Sequence, residues 1–305
     1  MQIGIVGLGL IGGSLGLDLR AIATRTNIDA QPQESSSHRL TPQRVWGVSR
    51  NPDTCRQAVA LGAVDQAATN LNQIADLDQT DLIVICTPIA AILPTLKQLA
   101  TIFADYPKLP IVTDVGSVKA AIVHEAQAIY PRFIGSHPMA GTAFQGINAA
   151  EYRLFQERPC VVTPLPEQDL ADIALVESLW QTVGANTLRC SPNDHDRAVA
   201  WISHLPVIVS ASLIGACIAE GTPEIKALAQ NLASSGFRDT SRVGGGNPEL
   251  GRLMAEYNRE ALLTALSSYR QNLDQLTTMI TNSQWDDLEA YLAITQEARP
   301  GYLKE

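Results

Sequence analysis

The chain has 305 residues, of which 46% are hydrophobic and 17% are charged, a composition typical of a soluble globular protein long enough for two domains. It carries 22 lysines and arginines against 31 aspartates and glutamates, which gives a formal net charge of −9. This acidic balance argues against non-specific binding to nucleic acid or to an anionic membrane, since both need a basic protein surface.

The first part of the chain alternates strand and helix patterns, which predicts a parallel sheet with helices on both faces. Asn51 and Pro52 are expected to begin one helix, and Ser117 is expected to cap another. The predicted strands are 3–6, 45–48, 81–86, 111–113 and 133–135, and the predicted helices are 10–23, 52–60, 90–104 and 117–129.

The segment from Thr24 to Arg44 interrupts this alternation. It is polar, includes three consecutive serines at 35–37, and shows no apolar period. We predict a surface insertion there with no functional role.

Two further strands, at 160–163 and 186–190, flank a helix at 167–183, and all that follows is predicted to be helical. We place the domain boundary near Cys190. Residues 1–190 are then a Rossmann-type, doubly wound α/β domain that binds a dinucleotide, and residues 191–305 are an all-α domain for substrate binding and dimerisation. The predicted helices of that domain are 198–219, 248–257, 260–281 and 285–295.

The helix predicted at 198–219 has no charged residue and is long enough to cross a bilayer. It also contains His204, Pro206 and three serines, and no positive-inside pattern flanks it. We therefore favour burial against a second copy of the chain, as in a homodimer, over a membrane span.

Cysteine usage and the N-terminal sequence indicate the compartment. The five cysteines are odd in number and widely spaced, which is typical of reduced thiols rather than disulfides or zinc ligands. The first apolar run is broken at once by glycines and has no basic residues before it, so no signal peptide is expected. These features predict a cytoplasmic protein without a bound metal.

A glycine-rich loop follows the first predicted strand and opens the first helix, which is the context of a dinucleotide-binding fingerprint. Gly7 would make the tight turn, Gly9 would let the backbone approach a pyrophosphate, and Gly12 would allow helix and strand to pack closely. Leu10 and Ile11 would contribute the first amides of the helix to the cofactor.

The end of the second strand indicates which cofactor is bound. An NAD site would place a carboxylate there for the ribose hydroxyls, but the chain has Ser49 and Arg50, which suit a 2′-phosphate. NADP is therefore the expected cofactor. Alternatively, Arg50 stacks on the adenine and both cofactors are used.

Other polar residues follow strands where ligands bind in such sheets, at the carboxyl ends. Thr87 and Pro88 end one strand and are assigned to the cofactor. His137 follows another, between a strand and a turn made by Pro138 and Gly141, and its near-neutral pKa suits it to accept a substrate proton.

Five segments, in this order, resemble the prephenate/arogenate dehydrogenase family of tyrosine biosynthesis, and the likeness covers the chain apart from the insertion. With Ser49 and Arg50, the chain is most similar to the cyanobacterial NADP-dependent arogenate dehydrogenases. The segments are GLGLIGGSL at 7–15, TDVGSVK at 113–119, SHPMAGT at 136–142, SHLP at 203–206 and FRDTSR at 237–242.

The resemblance implies an oxidative decarboxylation, in which hydride leaves C4 of a cyclohexadienol for NADP⁺ while the C1 carboxylate departs as carbon dioxide. It implies that His137 accepts the proton of the C4 hydroxyl, that Ser117 pairs with His137, and that Arg242 binds a substrate carboxylate. The same matching places Thr142, Ser203 and His204 in the substrate pocket.

Some site assignments stay open at this point. His204 is as well explained as a hydrogen-bonded core histidine, and His195, between two aspartates, is interpreted mainly as structural. Ala143 and Val207 stand where prephenate-preferring relatives often have a polar group, so arogenate is favoured and prephenate is the alternative.

Two less favoured functions are a β-hydroxyacid dehydrogenase or imine reductase, and a non-catalytic NADP-binding sensor. The first would be expected to place a lysine or another donor on the long helix, which here has His204 and no lysine. The second would not need a histidine, a serine and an arginine at three separate loop ends.

Overall fold

In a computed structural model, the described residues are 1–28, 40–142 and 144–303. They form two compact units. Unit 1 comprises Met1–Val199 and Gly245–Asn258, and unit 2 comprises Ala200–Gly244 and Arg259–Glu305.

Unit 1 is built on an eight-stranded sheet in the order β3-β2-β1-β4-β5-β6-β7-β8. The predicted fold class is confirmed, with one exception to the parallel pairing: β6 and β7 are antiparallel. The strands are β1 (Gln2–Val6), β2 (Arg44–Val48), β3 (Gln66–Ala68), β4 (Leu82–Ile85), β5 (Ile111–Asp114), β6 (Phe133–Pro138), β7 (Pro159–Thr163) and β8 (Asn186–Arg189).

Helices make up most of the remaining ordered structure. In unit 1 they are α1 (Leu10–Ile28), α2 (Pro52–Ala60), α3 (Ile89–Phe103), α4 (Ala120–Ile129), α5 (Leu170–Thr182), α6 (Pro192–Val199) and α10 (Pro248–Tyr257); in unit 2 they are α7 (Leu205–Ile218), α8 (Pro223–Leu232), α9 (Ser235–Ser241), α11 (Arg259–Thr281) and α12 (Trp285–Ala298).

Alternate side chains along each central strand point to opposite faces of the sheet, so both faces need a cover. In β4, Leu82 and Val84 pack with residues of α1 and α5, whereas Ile83 and Ile85 pack with residues of α3 and α4. This two-sided burial explains why β4 is continuously apolar, as strands of parallel sheets are.

The start of α2 follows the sequence prediction, and the start of α4 does not. The Asn51 side chain accepts from the amide of Asp53, and Pro52 stands in the first turn. By contrast, α4 begins at Ala120, so the prediction that Ser117 caps it is wrong. The amides of Lys119 and Ala120 are instead bound by the carboxylate of Asp196.

The strand that carries His137 is longer than predicted. Gly135 through Pro138 pair with β7, so His137 lies within β6 and is not on the turn that follows it. The main chain of β7 pairs with residues 135–138, and this pairing fixes the carboxyl end of β6.

The predicted insertion is only partly described. Helix α1 continues to Ile28, so its start, from Thr24, is helical. Residues 29–39 lie outside the described part of the chain.

The apolar helix predicted at 198–219 is interrupted. A π-helical turn, Ala200–His204, precedes α7, and Pro206 lies in the first turn of α7. Because proline has no amide hydrogen for the carbonyl of Ile202, a widened turn there is expected. Among the described residues, Pro192–Ile218 is the one helical stretch long and apolar enough to cross a membrane, and few of its residues are buried.

Candidate active site

The loop between β1 and α1 lies at the point where the strand order reverses, because β1 pairs with β2 on one side and with β4 on the other. Gly7 has a φ of 104°, and a β-carbon there would lie 2.6 Å from the carbonyl carbon of Cys86. A β-carbon at Gly12 would lie 2.0 Å from the Gly7 oxygen, whereas Gly9 faces open space. The loop therefore combines a tight turn and close packing with room beside its backbone.

Two hydroxyl side chains, of Ser49 and Thr87, and the cationic side chain of Arg50 follow the ends of the strands that flank β1. Ser49, half-buried after β2, receives a hydrogen bond of 3.4 Å from the Asn51 amide, and Arg50 is exposed. After β4, the Thr87 hydroxyl is buried without a hydrogen-bond partner, and Pro88 precedes α3. A buried hydroxyl without a partner costs stability unless a ligand satisfies it.

These features fit a dinucleotide. The open backbone at Gly9 and the first amides of α1, which include those of Leu10 and Ile11, suit a pyrophosphate. The Thr87 hydroxyl can bind a neighbouring part of the cofactor, and Arg50 suits a phosphate better than a bare ribose hydroxyl.

The main-chain pairing between β5 and β6 ends at Ile134, and beyond it the two strands are joined by hydrogen bonds that involve side chains. The Ser136 amide donates to Asp114 Oδ1 at 3.2 Å, and the Ser136 hydroxyl donates to the Asp114 carbonyl at 2.6 Å. The indole of Trp180 donates to the same hydroxyl at 2.9 Å. Residue 136 is thereby held from three directions, next to His137.

A fully buried ion pair lies beneath this junction. Lys119 Nζ donates to Asp114 Oδ2 and, at 2.8 Å, to the Ser136 carbonyl. Burial lowers the pKa of Lys119, and the neighbouring Asp114 carboxylate opposes that effect. The pair links the residue just before α4 to β5 and β6, which places it in the scaffold of the site.

His137 takes part in a chain of hydrogen bonds between side chains. Its Nδ1 lies 2.9 Å from His195 Nε2, and His195 Nδ1 lies 2.7 Å from Asp196 Oδ1. The exposed fractions are 8% for His137 and 2% for His195, so both rings are shielded from bulk water. The interpretation of His195 as mainly structural missed this contact.

Ser117 was predicted to pair with His137 and Thr142 to line the substrate pocket, and the Ser117 hydroxyl makes no hydrogen bond to His137 in the structure. The Ser117 hydroxyl is buried and has no hydrogen-bond partner, so it can bind a ligand. Thr142 is exposed and receives a hydrogen bond of 3.1 Å from the Phe144 amide. Ala143, which entered the prediction of substrate preference, lies outside the described residues. The roles of Ser117 and Thr142 stay predictions.

The remaining predicted substrate residues belong to unit 2. Ser203 is half-buried and His204 is 1% exposed, and both lie in the π-helical turn before α7. Arg242 is exposed directly after α9, and Val207 is half-buried in α7. A guanidinium at a helix end is free to reorient toward a carboxylate. Their roles also stay predictions.

Two thiols near the site are chemically inert. Burial raises the pKa of Cys86 and of Cys160 far above the ordinary value for a thiol. Both side chains stay protonated at neutral pH, so neither thiol provides a thiolate at this edge of the sheet.

Sequence reasoning gave Asp114, Lys119 and Asp196 no role in the site, and it interpreted His195 as mainly structural. Asp114 and Lys119 lie inside the TDVGSVK segment, where a lysine five residues after a strand-ending aspartate was the available signal, and the structure shows that both side chains are fully buried. The cluster of His195 with its neighbouring aspartates was visible in the sequence, but its contact with His137 was not, since the two histidines are 58 residues apart.

Two family models match most of the chain. The model described as prephenate dehydrogenase, nucleotide-binding domain, matches residues 38–189. The model described as prephenate dehydrogenase, dimerization domain, matches residues 191–294. The glycine loop lies ahead of the first match. The predicted boundary between 190 and 191 was placed where the strand patterns end and the helical pattern begins, and it stays a prediction.

Individual relatives extend the likeness to the N-terminus. The structure of Synechocystis arogenate dehydrogenase is 49% identical, with a TM-score of 0.81, and the alignment covers 99% of this chain and 100% of that one. Aquifex aeolicus prephenate dehydrogenase, solved with hydroxyphenyl propionate and NAD⁺, is 27% identical with a TM-score of 0.85, over 99% and 98% of the two chains. Prephenate dehydrogenase of Bacillus subtilis is 28% identical over 97% of this chain and 75% of that protein.

Proposed function

Since the chain belongs to the prephenate dehydrogenase family, we propose that it oxidises arogenate to tyrosine with NADP⁺ as the hydride acceptor. It is a dehydrogenase of tyrosine biosynthesis. The observation that carries the choice of arogenate is the 49% identity, over nearly the whole chain, to an arogenate dehydrogenase. The choice of NADP⁺ is supported by Ser49 and Arg50 at the end of β2.

The reaction converts arogenate and NADP⁺ into tyrosine, carbon dioxide and NADPH. A cofactor held by the glycine loop would supply the acceptor for the hydride that leaves C4 of the ring, and the electrons of the bond between C1 and the carboxylate would complete the aromatic ring as carbon dioxide leaves. His137 accepts the proton of the C4 hydroxyl as that oxygen becomes a carbonyl, and returns it to the phenol oxygen. No net proton is released.

The other residues bind and orient the reactants. The glycine loop and the Thr87 hydroxyl hold the cofactor, and the buried Ser117 hydroxyl donates to a reactant beside His137. Arg242 binds a substrate carboxylate, with Thr142, Ser203 and His204 as further contacts of the substrate.

One kinetic experiment tests this proposal: initial rates with arogenate and with prephenate, each crossed with NADP⁺ and NAD⁺. We expect the highest kcat/KM for arogenate with NADP⁺. A higher value for prephenate would show that the alternative holds, a prephenate dehydrogenase that forms 4-hydroxyphenylpyruvate. No reduction of either cofactor with either substrate would overturn the assignment.

We also propose that the protein is a cytoplasmic homodimer. The support is the match of residues 191–294 to a dimerization domain, together with the large apolar side chains that α8 and α12 leave exposed in the single chain and Ile218 at the end of α7. Sedimentation velocity should give the mass of two chains, and cell fractionation should find the protein in the supernatant. A monomer at micromolar concentration, or recovery with the membrane pellet, would contradict the proposal.

A further inference from the structure

The hydrogen-bonded chain from His137 through His195 to Asp196 has a direction that its partners determine. A neutral imidazole ring has one nitrogen that donates a hydrogen bond and one that accepts. The ring by itself does not determine which nitrogen carries the proton. The choice is made by whatever the ring contacts, so it can be traced from the end of the chain where the roles are fixed.

That end is the carboxylate of Asp196. Its Oδ1 accepts from the Lys119 amide at 2.7 Å, and its Oδ2 accepts from the Ala120 amide at 2.8 Å. Both amides belong to the start of α4, where a negative charge is favoured by the helix dipole and by the amides left without helical partners. Asp196 therefore acts as an acceptor, and the contact of 2.7 Å with His195 Nδ1 makes that nitrogen the donor.

The roles along the rest of the chain follow by elimination. With its proton on Nδ1, a neutral His195 presents the lone pair of Nε2. His137 Nδ1, 2.9 Å away, must then carry a proton and donate it. The other nitrogen of His137, Nε2, is the unprotonated one, which is the state that a proton acceptor requires.

We propose that His195, oriented by Asp196, is a positioning residue that holds His137 in the tautomer with its proton on Nδ1. The proposal rests on the proposed function, in which His137 accepts the C4 hydroxyl proton, and adds the device that keeps its accepting nitrogen ready. Without His195 the ring can place its proton on Nε2, the tautomer that imidazole favours in water, and in that form Nε2 cannot accept the substrate proton.

The geometry also fixes how the ring is turned. The ring planes of His137 and His195 are inclined at 71° to each other, and the ring centroids are 5.1 Å apart. In this edge-on arrangement, Nε2 of His195 lies beside Nδ1 of His137. Asn258 Nδ2 donates to the Asp196 carbonyl at 2.7 Å, which steadies the segment that carries His195 and Asp196. The contact between the two rings gives His137 Nδ1 an acceptor at 2.9 Å, the lone pair of His195 Nε2.

The test compares two replacements of the same residue. In His195→Gln, the amide oxygen can accept near the position of Nε2, whereas in His195→Leu a similar volume has no acceptor. His124→Leu, at an exposed histidine on α4, is the matched control. The first measurement is nitrogen-15 NMR of histidine-labelled protein at pH 8, which distinguishes the two tautomers of His137 without substrate or cofactor. The second is steady-state kinetics with the substrate and cofactor that give the highest wild-type rate.

We expect the Nδ1–H tautomer of His137 in the wild type, in His195→Gln and in His124→Leu, and a shift toward the Nε2–H tautomer in His195→Leu. The value of kcat should fall about 10- to 100-fold in His195→Leu and recover most of that loss in His195→Gln, with KM little changed in both, because binding does not use the tautomer. The thermal midpoint of each variant separates this pattern from a general loss of folding.

Two results would overturn the inference. One is a wild-type His137 with its proton on Nε2, and the other is a His195→Leu variant with the tautomer and kcat of the wild type. A wild type that turns over neither substrate would refute the proposed function instead, and the tautomer measurement would still decide the role of His195.

Discussion

Asp18 provides a stability prediction whose size can be worked out from its surroundings. It lies in α1, is 3% exposed, and accepts from the Arg153 amide at 2.8 Å through Oδ1, while Oδ2 is buried without a hydrogen-bond partner. Burial raises the pKa of Asp18 from 3.8 to about 6, an effect that the amide and charge of Arg153 oppose only in part. At neutral pH the folded protein therefore holds a carboxylate that would be more stable in the unfolded chain.

The sign of the effect follows from proton binding. Between pH 3.8 and about 6 the folded state binds more protons at Asp18 than the unfolded state does, so stability falls as the pH rises through this range. The pKa difference lowers the free energy of unfolding by about 3 kcal/mol once the pH exceeds both pKa values. At pH 5 only about half of this loss has occurred.

The perturbation is Asp18→Asn, which keeps the acceptor for the Arg153 amide and cannot ionise. Its amide group lacks a partner at the position of Oδ2, and that penalty is the same at every pH. The informative quantity is therefore the change with pH. Relative to the wild type, the free energy of unfolding of the variant should rise by about 1.5 kcal/mol from pH 5 to pH 7.5.

Urea unfolding followed by the fluorescence of the buried Trp46 and Trp180 measures this change. Asp105→Asn, at an exposed aspartate, is the control and should leave the difference between the two pH values unaltered. A relative gain for Asp18→Asn below about 0.5 kcal/mol would refute the argument that burial of Asp18 raises its pKa.

Three further predictions concern the site and its scaffold. His137→Asn should lower kcat by about 10²- to 10⁴-fold while NADPH still binds, as initial rates and NADPH fluorescence would show; unchanged turnover would remove His137 from its proposed role. Arg50→Glu should lower kcat/KM for NADP⁺ at least about 10-fold relative to NAD⁺, because a carboxylate repels the 2′-phosphate; an unaltered cofactor ratio would contradict the phosphate contact. Lys119→Met should lower the free energy of unfolding by about 3 to 5 kcal/mol, because it leaves the buried Asp114 charge without its cation, and a loss below about 1 kcal/mol in urea unfolding would contradict the importance of that pair.

The features that sequence could predict were those set by neighbouring residues. The apolar runs of β1 and β4 and the Asn51-Pro52 start of α2 are local signals, and each is found where it was predicted. Strand β3 was missed because its three residues, Gln66–Ala68, have no apolar pattern, and its pairing with β2 defines it.

The features that sequence could not predict depend on contacts between distant segments. The amides at the start of α4 are bound by Asp196, 76 and 77 residues away, so no residue before the helix needs to act as its cap. The length of β6 depends on β7 in the same way. The position of His137 in a strand and its contact with His195 both come from such pairings, which a single sequence does not reveal.

The position of His137 inside β6 separates the proposed proton acceptor from the chain segment that follows the strand. The ring is held by strand pairing, by His195 and by the junction at Ser136, and the amide of Met139 still donates to the Pro159 carbonyl at 2.8 Å. Thr142, three residues further on, is exposed and receives its hydrogen bond from the nearby Phe144 amide. If Thr142 contacts the substrate, as proposed, substitutions or length changes beside it would alter the substrate contacts without displacing His137. A change of preferred substrate would then arise by exchanging a loop, and grafting such loops between relatives would be a direct route to re-engineering specificity.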